Sequence, residues 1–306
     1  MNKIVILTGP TASGKTKLAI EIANKYNGEI ISADSMQIYK NLNIGTAKPT
    51  KDELLQAKHH MIDIAEANQD YSVQEYVKQA DKIIAEICSN NKLPIIVGGT
   101  GLYIKALIHP YSFANTPKDE KVRDYYKSLL EEYGQDYIYN LLQTLDQDSA
   151  KTIHPNDTKR VIRALEICSI SKEKKSLLNS ETNNNKYDYL MFVLNPKREE
   201  LYQKINARVD DMFSCGLESE IKNLLEKGLA YQQSQSMQAI GYKEFFDYFH
   251  GEVDLNTTKE LIKQHSRNYA KRQITFFKSF KDAVWIENPQ ENKQTIITAL
   301  NNFLNQ

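Results

Sequence analysis

Apolar and polar positions alternate in blocks along the first hundred residues of the chain. Ile4-Val5-Ile6-Leu7 is an unbroken apolar run, which reads as a short buried strand over Lys3–Thr8. After a glycine-rich stretch, Leu18, Ala19, Ile22, Ala23 and Tyr26 recur at helical spacing, and Gly28 is expected to end that helix as a C-cap glycine. Residues 29–33 read as a second strand. Ser72-Val73-Gln74-Glu75 has the form of a capping box and opens a helix with Tyr76, Val77, Ala80, Ile83, Ile84 and Ile87 on its apolar face. Residues 93–97 form a third strand, closed by Gly98-Gly99. Strands alternating with helices predict an α/β fold, a parallel sheet covered by helices on both faces.

The pattern changes after about residue 114. Thr116-Pro117 offers an N-cap and a first-turn proline, with Asp119 and Glu120 placed to suit the helix dipole. Helical periodicity then covers residues 122–133, 137–145 and 158–168. Residues 171–186 are polar and read as a solvated connection. Residues 189–194 are again a strand, so an all-helical domain over 115–186 is inserted into a core made of 1–114 and 187–306. Pro196 opens a largely helical C-terminal third, with a last strand at 283–287 and a closing helix.

Composition adds little that is specific. The 306 residues are 41% hydrophobic and 25% charged, as in an ordinary globular protein. No apolar run approaches the roughly 20 residues that cross a bilayer, and the first residues lack the features of a secretory signal. A cytoplasmic location is expected, with no membrane partner. Cys88, Cys168 and Cys215 are scattered and read as reduced thiols, and nothing beside His59-His60 resembles a zinc site. Lys+Arg and Asp+Glu both total 39, so only the distribution of charge can speak for a nucleic-acid partner.

Chemistry enters with Gly9, Pro10, Thr11, Ala12, Ser13, Gly14, Lys15 and Thr16, which satisfy G-x-x-x-x-G-K-[ST] between a strand and a helix. Glycines let backbone N–H groups close around phosphate oxygens. Lys15 adds charge, Thr16 offers a hydroxyl to Mg²⁺, and the helix N-terminus favours an anion. The core is therefore expected to be a P-loop NTPase-like sheet that binds two or more linked phosphates. Enzymes that hydrolyse nucleoside triphosphates usually carry a second apolar strand ending in Asp. Here the strand at 94–97 ends in Gly98-Gly99-Thr100, and Asp63 is a weak substitute because its apolar lead-in is short. Asp34, at the carboxyl end of the second strand, is the best-placed carboxylate, and Thr100 faces the same crevice.

Several segments together resemble one family. They are residues 9–16, 32–39 (Ser-Ala-Asp-Ser-Met-Gln-Ile-Tyr), 44–49 (Ile-Gly-Thr-Ala-Lys-Pro), 59–63 (His-His-Met-Ile-Asp), 98–103 (Gly-Gly-Thr-Gly-Leu-Tyr), 159–166, Gly241-Tyr242 and 269–273 (Tyr-Ala-Lys-Arg-Gln). Their order and content are similar to those of the bacterial tRNA dimethylallyltransferases. The family often has Trp where Phe276 or Phe277 stands. The resemblance implies transfer of a dimethylallyl group from dimethylallyl diphosphate to N6 of the adenosine 3′-adjacent to the anticodon, in tRNAs reading codons that begin with U. Diphosphate leaves and Mg²⁺ assists. By resemblance Asp34 is the general base, Thr100 helps hold the adenosine, and Arg208 joins the phosphate loop around the diphosphate. Read without it, Asp34 has a turn cap or a Mg²⁺ ligand as its alternative readings, and Arg208 reads as a surface helix residue.

The resemblance also points to the tRNA anticodon stem-loop as partner. Asp34, Ser35, Met36, Gln37 and Thr100 match the stretch around the target base. Arg123, Lys159, Arg160, Val161, Ile162 and Arg163 lie on the inserted helical domain that grips the stem-loop. Residues 259–281 hold seven basic residues and one acidic one, and Lys259, Lys263, Arg267 and Lys271 recur every four positions as a basic stripe. Ile262, Tyr269, Phe276 and Phe280 are assigned to packing on the other side. No obligate protein partner is expected, and the chain reads as a monomer. The alternatives are an adenylate isopentenyltransferase, for which the inserted domain and basic stripe would be superfluous, a nucleotide kinase using ATP at the loop, and a phosphate-binding regulatory module.

Overall fold

The protein is described here by a computed structural model that covers residues 1–109, 119–171, 185–231 and 234–306. The chain divides into two compact units, one of Met1–Ile108 with Lys186–Gln306, the other His109–Asn185. The boundaries expected at 114/115 and 186/187 therefore lie at 108/109 and 185/186. The reason is a single staple: the Lys186 N–H donates to the Ile108 carbonyl at 2.8 Å, so the chain leaves and re-enters the sheet unit at one point.

The first unit is built on a six-stranded, all-parallel sheet in the order β3-β2-β4-β1-β5-β6. Its strands are β1 (Lys3–Thr8), β2 (Gly28–Ser32), β3 (His59–His60), β4 (Leu93–Gly98), β5 (Asp188–Leu194) and β6 (Val284–Ile286). The central strands are apolar on both faces, as a sheet covered on both sides requires. Helix α1 (Lys15–Lys25) and the C-terminal helix pack Leu18, Ala19, Ile22, Ile296 and Leu300 on one face. The other face carries α3 (Val73–Ser89), α4 (Gly101–Ile108) and the helices that follow β5. Those are α8 (Arg198–Ser214), α9 (Leu217–Glu226), α10 (Phe245–Phe249) and α11 (Leu255–Phe277). The short α2 (Lys51–Gln56) precedes β3, and α12 spans Lys293–Asn305.

The capping box of α3 is present in both directions: Ser72 Oγ accepts from Glu75 N at 3.2 Å, and Glu75 Oε2 accepts from Ser72 N at 2.7 Å. Gly28 does not cap α1. Asn27 takes the left-handed conformation there (φ 50°), and Gly28 is the first residue of β2. Gly28 is required by proximity, since a Cβ would lie 2.7 Å from Ile95 Cδ1 and 2.9 Å from the Leu93 carbonyl oxygen.

The second unit contains α5 (Glu120–Leu145), α6 (Gln147–Thr152) and α7 (Thr158–Ser171). The two helices expected over 122–133 and 137–145 are present within α5, separated by a break at Gly134 (φ 83°). Its N-cap is Asp119, whose Oδ1 accepts from Lys121 N at 2.9 Å and Val122 N at 3.2 Å; Thr116 and Pro117 lie outside the described residues. Tyr126, Ile138, Leu142, Val161 and Leu165 form its core. Among the described residues no helix is long and apolar enough to cross a membrane.

One buried charge ties the sheet edge together. Glu29 on β2 accepts from Lys92 at 2.7 Å, from His60 on β3 at 2.6 Å and pairs with Lys58 at 3.2 Å. Burial disfavours the carboxylate, but Lys92, His60 and Lys58 outweigh it and hold its pKa at about 2. A depressed carboxyl pKa stabilises the fold above the unfolded value and loses that contribution as pH falls toward 2. Glu29→Gln is therefore expected to cost on the order of 2 kcal/mol at pH 7. Urea unfolding of both proteins across pH checks this, and their stability difference should shrink steadily between pH 4.5 and 2.

Candidate active site

The strand order reverses around β1, so the carboxyl ends of β1, β2 and β4 open onto one crevice. Short bonds staple these ends. Thr8 Oγ1 donates to the Gly98 carbonyl at 2.8 Å, Ala33 N to the Val97 carbonyl at 2.8 Å, and Thr100 N to the Ala33 carbonyl at 3.1 Å. The glycine loop leaves β1, Asp34 follows β2, and Thr100 follows β4.

Within the loop, Gly14 is the N-cap of α1 with φ 88° and supplies no side-chain cap, which leaves the first N–H groups of the helix to a ligand. Lys15 folds back over the loop, its Nζ donating to the Pro10 carbonyl at 2.7 Å and the Gly9 carbonyl at 3.0 Å. Arg208 reaches the same loop from α8: Nη1 donates to Thr11 Oγ1 at 3.2 Å and Nη2 to the Ala47 carbonyl at 3.5 Å. It is thus not a surface helix residue. Burial and the nearby Arg208 guanidinium push the Lys15 pKa down to about 7, against the pull of Asp34. Burial likewise lowers Arg208, and Asp34 opposes it.

Asp34 is a turn cap, as one of the alternative readings held: Oδ1 accepts from Met36 N at 2.9 Å and Gln37 N at 3.3 Å. The turn does not use Oδ2. Thr100 Oγ1 accepts from Ser35 N at 3.0 Å and lies 3.3 Å from Ser35 Oγ, which locks the turn to β4. Tyr269, expected to pack, lies beside Thr100 and Gln273, and burial followed by the field of Asp34 raises its pKa to about 12.

The loop after this turn is fixed by Glu220 of α9. Its carboxylate accepts from Asn43 N (2.9 Å), Ile44 N (2.8 Å), Gly45 N (3.2 Å) and the Tyr242 hydroxyl (2.7 Å). Gly45 lies flat on the Tyr242 ring, where a Cβ would come within 2.4 Å. Sequence reasoning matched Gly241-Tyr242 to the family without a role, and it missed Glu220 altogether; an isolated Glu on an amphipathic helix carries no signal. Asp63 is spent on an ion pair with Lys48.

The residues expected at RNA are placed unevenly. Met36 packs against the core, and the Gln37 amide donates to the carbonyls of Thr46 (3.2 Å) and Ala47 (3.1 Å). Val161 and Ile162 are 0% and 7% exposed within the helical core, which corrects their assignment as contacts: they lie on the buried stripe of α7. Arg123 and Arg163 each approach Glu166 Oε2 at 2.9 Å, and that carboxylate is wholly buried. Lys159 and Arg160 are exposed, the latter 3.2 Å from Asp157. On α11, Lys259 and Lys263 pair with Asp210 at 2.6 and 3.0 Å, Arg267 donates to Asn206 at 2.6 Å, and Lys271 is exposed. Lys271 also lines a cavity of about 700 Å³ with Arg198, Tyr202 and Trp285, at the carboxyl ends of β5 and β6 and apart from Asp34.

Residues 37–280 match the family model described as IPP transferase. A tRNA dimethylallyltransferase of Caldanaerobacter subterraneus is 47% identical, over 92% of this chain and 91% of its own length. One of a Thermoanaerobacter species is 45% identical over 99% of both chains. Among solved structures, the tRNA isopentenylpyrophosphate transferase of Bacillus halodurans is 38% identical with a TM-score of 0.75, covering 100% of this chain and 97% of that one. A eukaryotic dimethylallyltransferase acting on tRNA is 31% identical with a TM-score of 0.83, covering 100% and 80%. The family model spans most of the chain and these relatives match nearly its whole length, so the chain belongs to the IPP transferase family, the tRNA dimethylallyltransferases.

Proposed function

We propose that this chain transfers a dimethylallyl group from dimethylallyl diphosphate to N6 of the adenosine 3′-adjacent to the anticodon, in tRNAs that read codons beginning with U. The observation that carries the reading is the meeting of Lys15, Arg208 and Asp34, close enough to perturb one another, at adjoining strand ends. Two cations beside a helix N-terminus suit a diphosphate leaving group, and a carboxylate opposite them suits an attacking amine. As the N6–carbon bond forms, the carbon–oxygen bond to diphosphate breaks, its electrons pass to the diphosphate, and the amine proton goes to Asp34. Tyr269 and Thr100 hold the rim of the turn that carries Asp34. The target base must leave its stack to enter, which is cheap for an unpaired loop nucleotide.

Mg²⁺ belongs to the same proposal. Among the described residues no group of three or more His, Cys, Asp or Glu could cage a metal, and Mg²⁺ commonly takes one or two protein oxygens with substrate phosphates. The Thr16 hydroxyl, at the start of α1, is the residue that would hold it, and the ion would neutralise charge on the departing diphosphate. For RNA, the exposed Lys159, Arg160 and Lys271 are the favoured phosphate contacts, in a protein that works as a cytoplasmic monomer.

The direct test supplies the pure protein with unmodified tRNA or AMP, and with labelled dimethylallyl diphosphate or ATP, followed by nucleoside mass analysis. Label on AMP but not on tRNA would sink the reading. Asp34→Asn is expected to keep tRNA affinity and lose about 100-fold or more of its turnover, the scale of general-base catalysis; near-normal turnover would remove Asp34 as base. Lys15 predicts a pH effect. Its pKa near 7 in the free loop means diphosphate binding gathers a proton at pH 8 and none at pH 6. Affinity for inorganic diphosphate should accordingly weaken as pH rises through 7. Calorimetry in buffers of different ionisation enthalpy measures the proton exchange, and at pH 8 wild type should take up more protons than Lys15→Arg, the difference shrinking toward pH 6.

A further inference from the structure

Gln273 sits on the inner face of α11, 6% exposed, between the phosphate loop and the loop after β4. Its Oε1 accepts the Thr11 N–H at 3.0 Å, and its Nε2 donates to the Gly99 carbonyl at 2.9 Å. A backbone N–H can only donate and a carbonyl can only accept, so the two partners fix the amide orientation. No ionised carboxylate or apolar side chain of that length satisfies both. The site is shaped for it, since a Cβ on Gly99 would stand 2.2 Å from Nε2. One turn earlier Tyr269 lies beside Gln273 and Thr100. Thr11 in turn receives Arg208 on its hydroxyl. The Thr11 N–H is therefore committed to Gln273 and not to a phosphate.

We infer that Gln273 is a positioning residue that sets the spacing between the leaving-group loop and the Thr100–Asp34 side of the crevice. The inference rests on the functional reading above and deepens it. Displacement at carbon needs the amine, the carbon and the departing oxygen in line, and an error near 1 Å in one partner costs about 100-fold. Gln273 holds one residue of each wall with the two ends of one planar group. When the walls drift, the donor remains bound but meets water more often than the amine. Water oxygen then bonds to the allylic carbon as the bond to diphosphate breaks, giving the prenyl alcohol, diphosphate and a proton.

The test compares wild type, Gln273→Met and Gln273→Glu by single-turnover transfer to unmodified tRNA, counting diphosphate released per prenyl group transferred. Gln273→Met should keep its affinities for tRNA and inorganic diphosphate within about threefold while transfer falls roughly 10- to 100-fold. Its release ratio should rise well above the wild-type value near one. Gln273→Glu has the same size and keeps the bond from Thr11, so it decides the matter if Gln273→Met does not fold. Its ionised carboxylate opposes the Gly99 carbonyl, and protonation restores the donor. Its rate relative to wild type should therefore climb as pH falls. Wild-type transfer with a release ratio of one in Gln273→Met, or a Gln273→Glu ratio flat with pH, would overturn the inference alone. No transfer by the wild type would overturn the functional reading and this inference with it.

Discussion

Lys15 and Arg208 are held close together in a crevice that removes much of their water. Burial disfavours both charges, the Arg208 guanidinium adds to the cost at Lys15, and Asp34 is the anion that offsets part of it at each. Such a pair is unfavourable for folding by itself and becomes favourable when an anion of two or more charges arrives. Most of what surrounds it serves to keep the three groups from relaxing apart. Arg208 is tethered at Thr11 and Ala47, Lys15 at Gly9 and Pro10, and Asp34 by its own turn.

The tethers belong to different elements, so their relative placement depends on how those elements are joined. The strand-end bonds from Thr8, Ala33 and Thr100 fix β1, β2 and β4. Glu220 gathers three successive N–H groups of the 43–45 loop and so fixes the neighbourhood of Ala47, which receives Arg208. A half-buried carboxylate satisfied in this way is costly to disturb, because losing it would strand several donors at once. The helices after β5 thus do more than cover the sheet. Through Arg208, Glu220, Tyr269 and Gln273 they supply side chains to a site whose backbone is drawn from the first hundred residues.

That division explains what could be read from the sequence. The sheet unit was legible because its strands are apolar throughout and its loop follows a fixed spacing, and Ser72 and Glu75 announced α3. Asp34 and Thr100 were legible from their place at strand ends. Arg208 was found only by resemblance, since one arginine on an amphipathic helix has no local signature. Gln273 lies within a matched motif but carries no readable role, because its partners lie some 170 to 260 positions away in sequence, and Tyr269 reads only as packing. Gly28 misled for the opposite reason: a glycine after a helix looks like a cap, whereas packing against Ile95 is what excludes a side chain.

The same distance problem governs the basic residues. Periodicity put Lys259, Lys263, Arg267 and Lys271 on one stripe of α11, but it could not reveal that Asp210 and Asn206 of α8 lie along it. Likewise Arg123 and Arg163 face a buried Glu166 that must keep cationic partners to remain ionised. Counting every cation in these segments as a phosphate contact would overstate the counterions released on RNA binding. Lys259 and Lys263 can gain little from RNA unless they give up Asp210, an exchange of one anion for another. Lys159, Lys271 and Arg272 are exposed instead, the last lying over the Tyr269 ring. Arg272 thereby holds its cation against the ring of a residue beside Gln273, on the helix that also supplies Gln273 to the crevice.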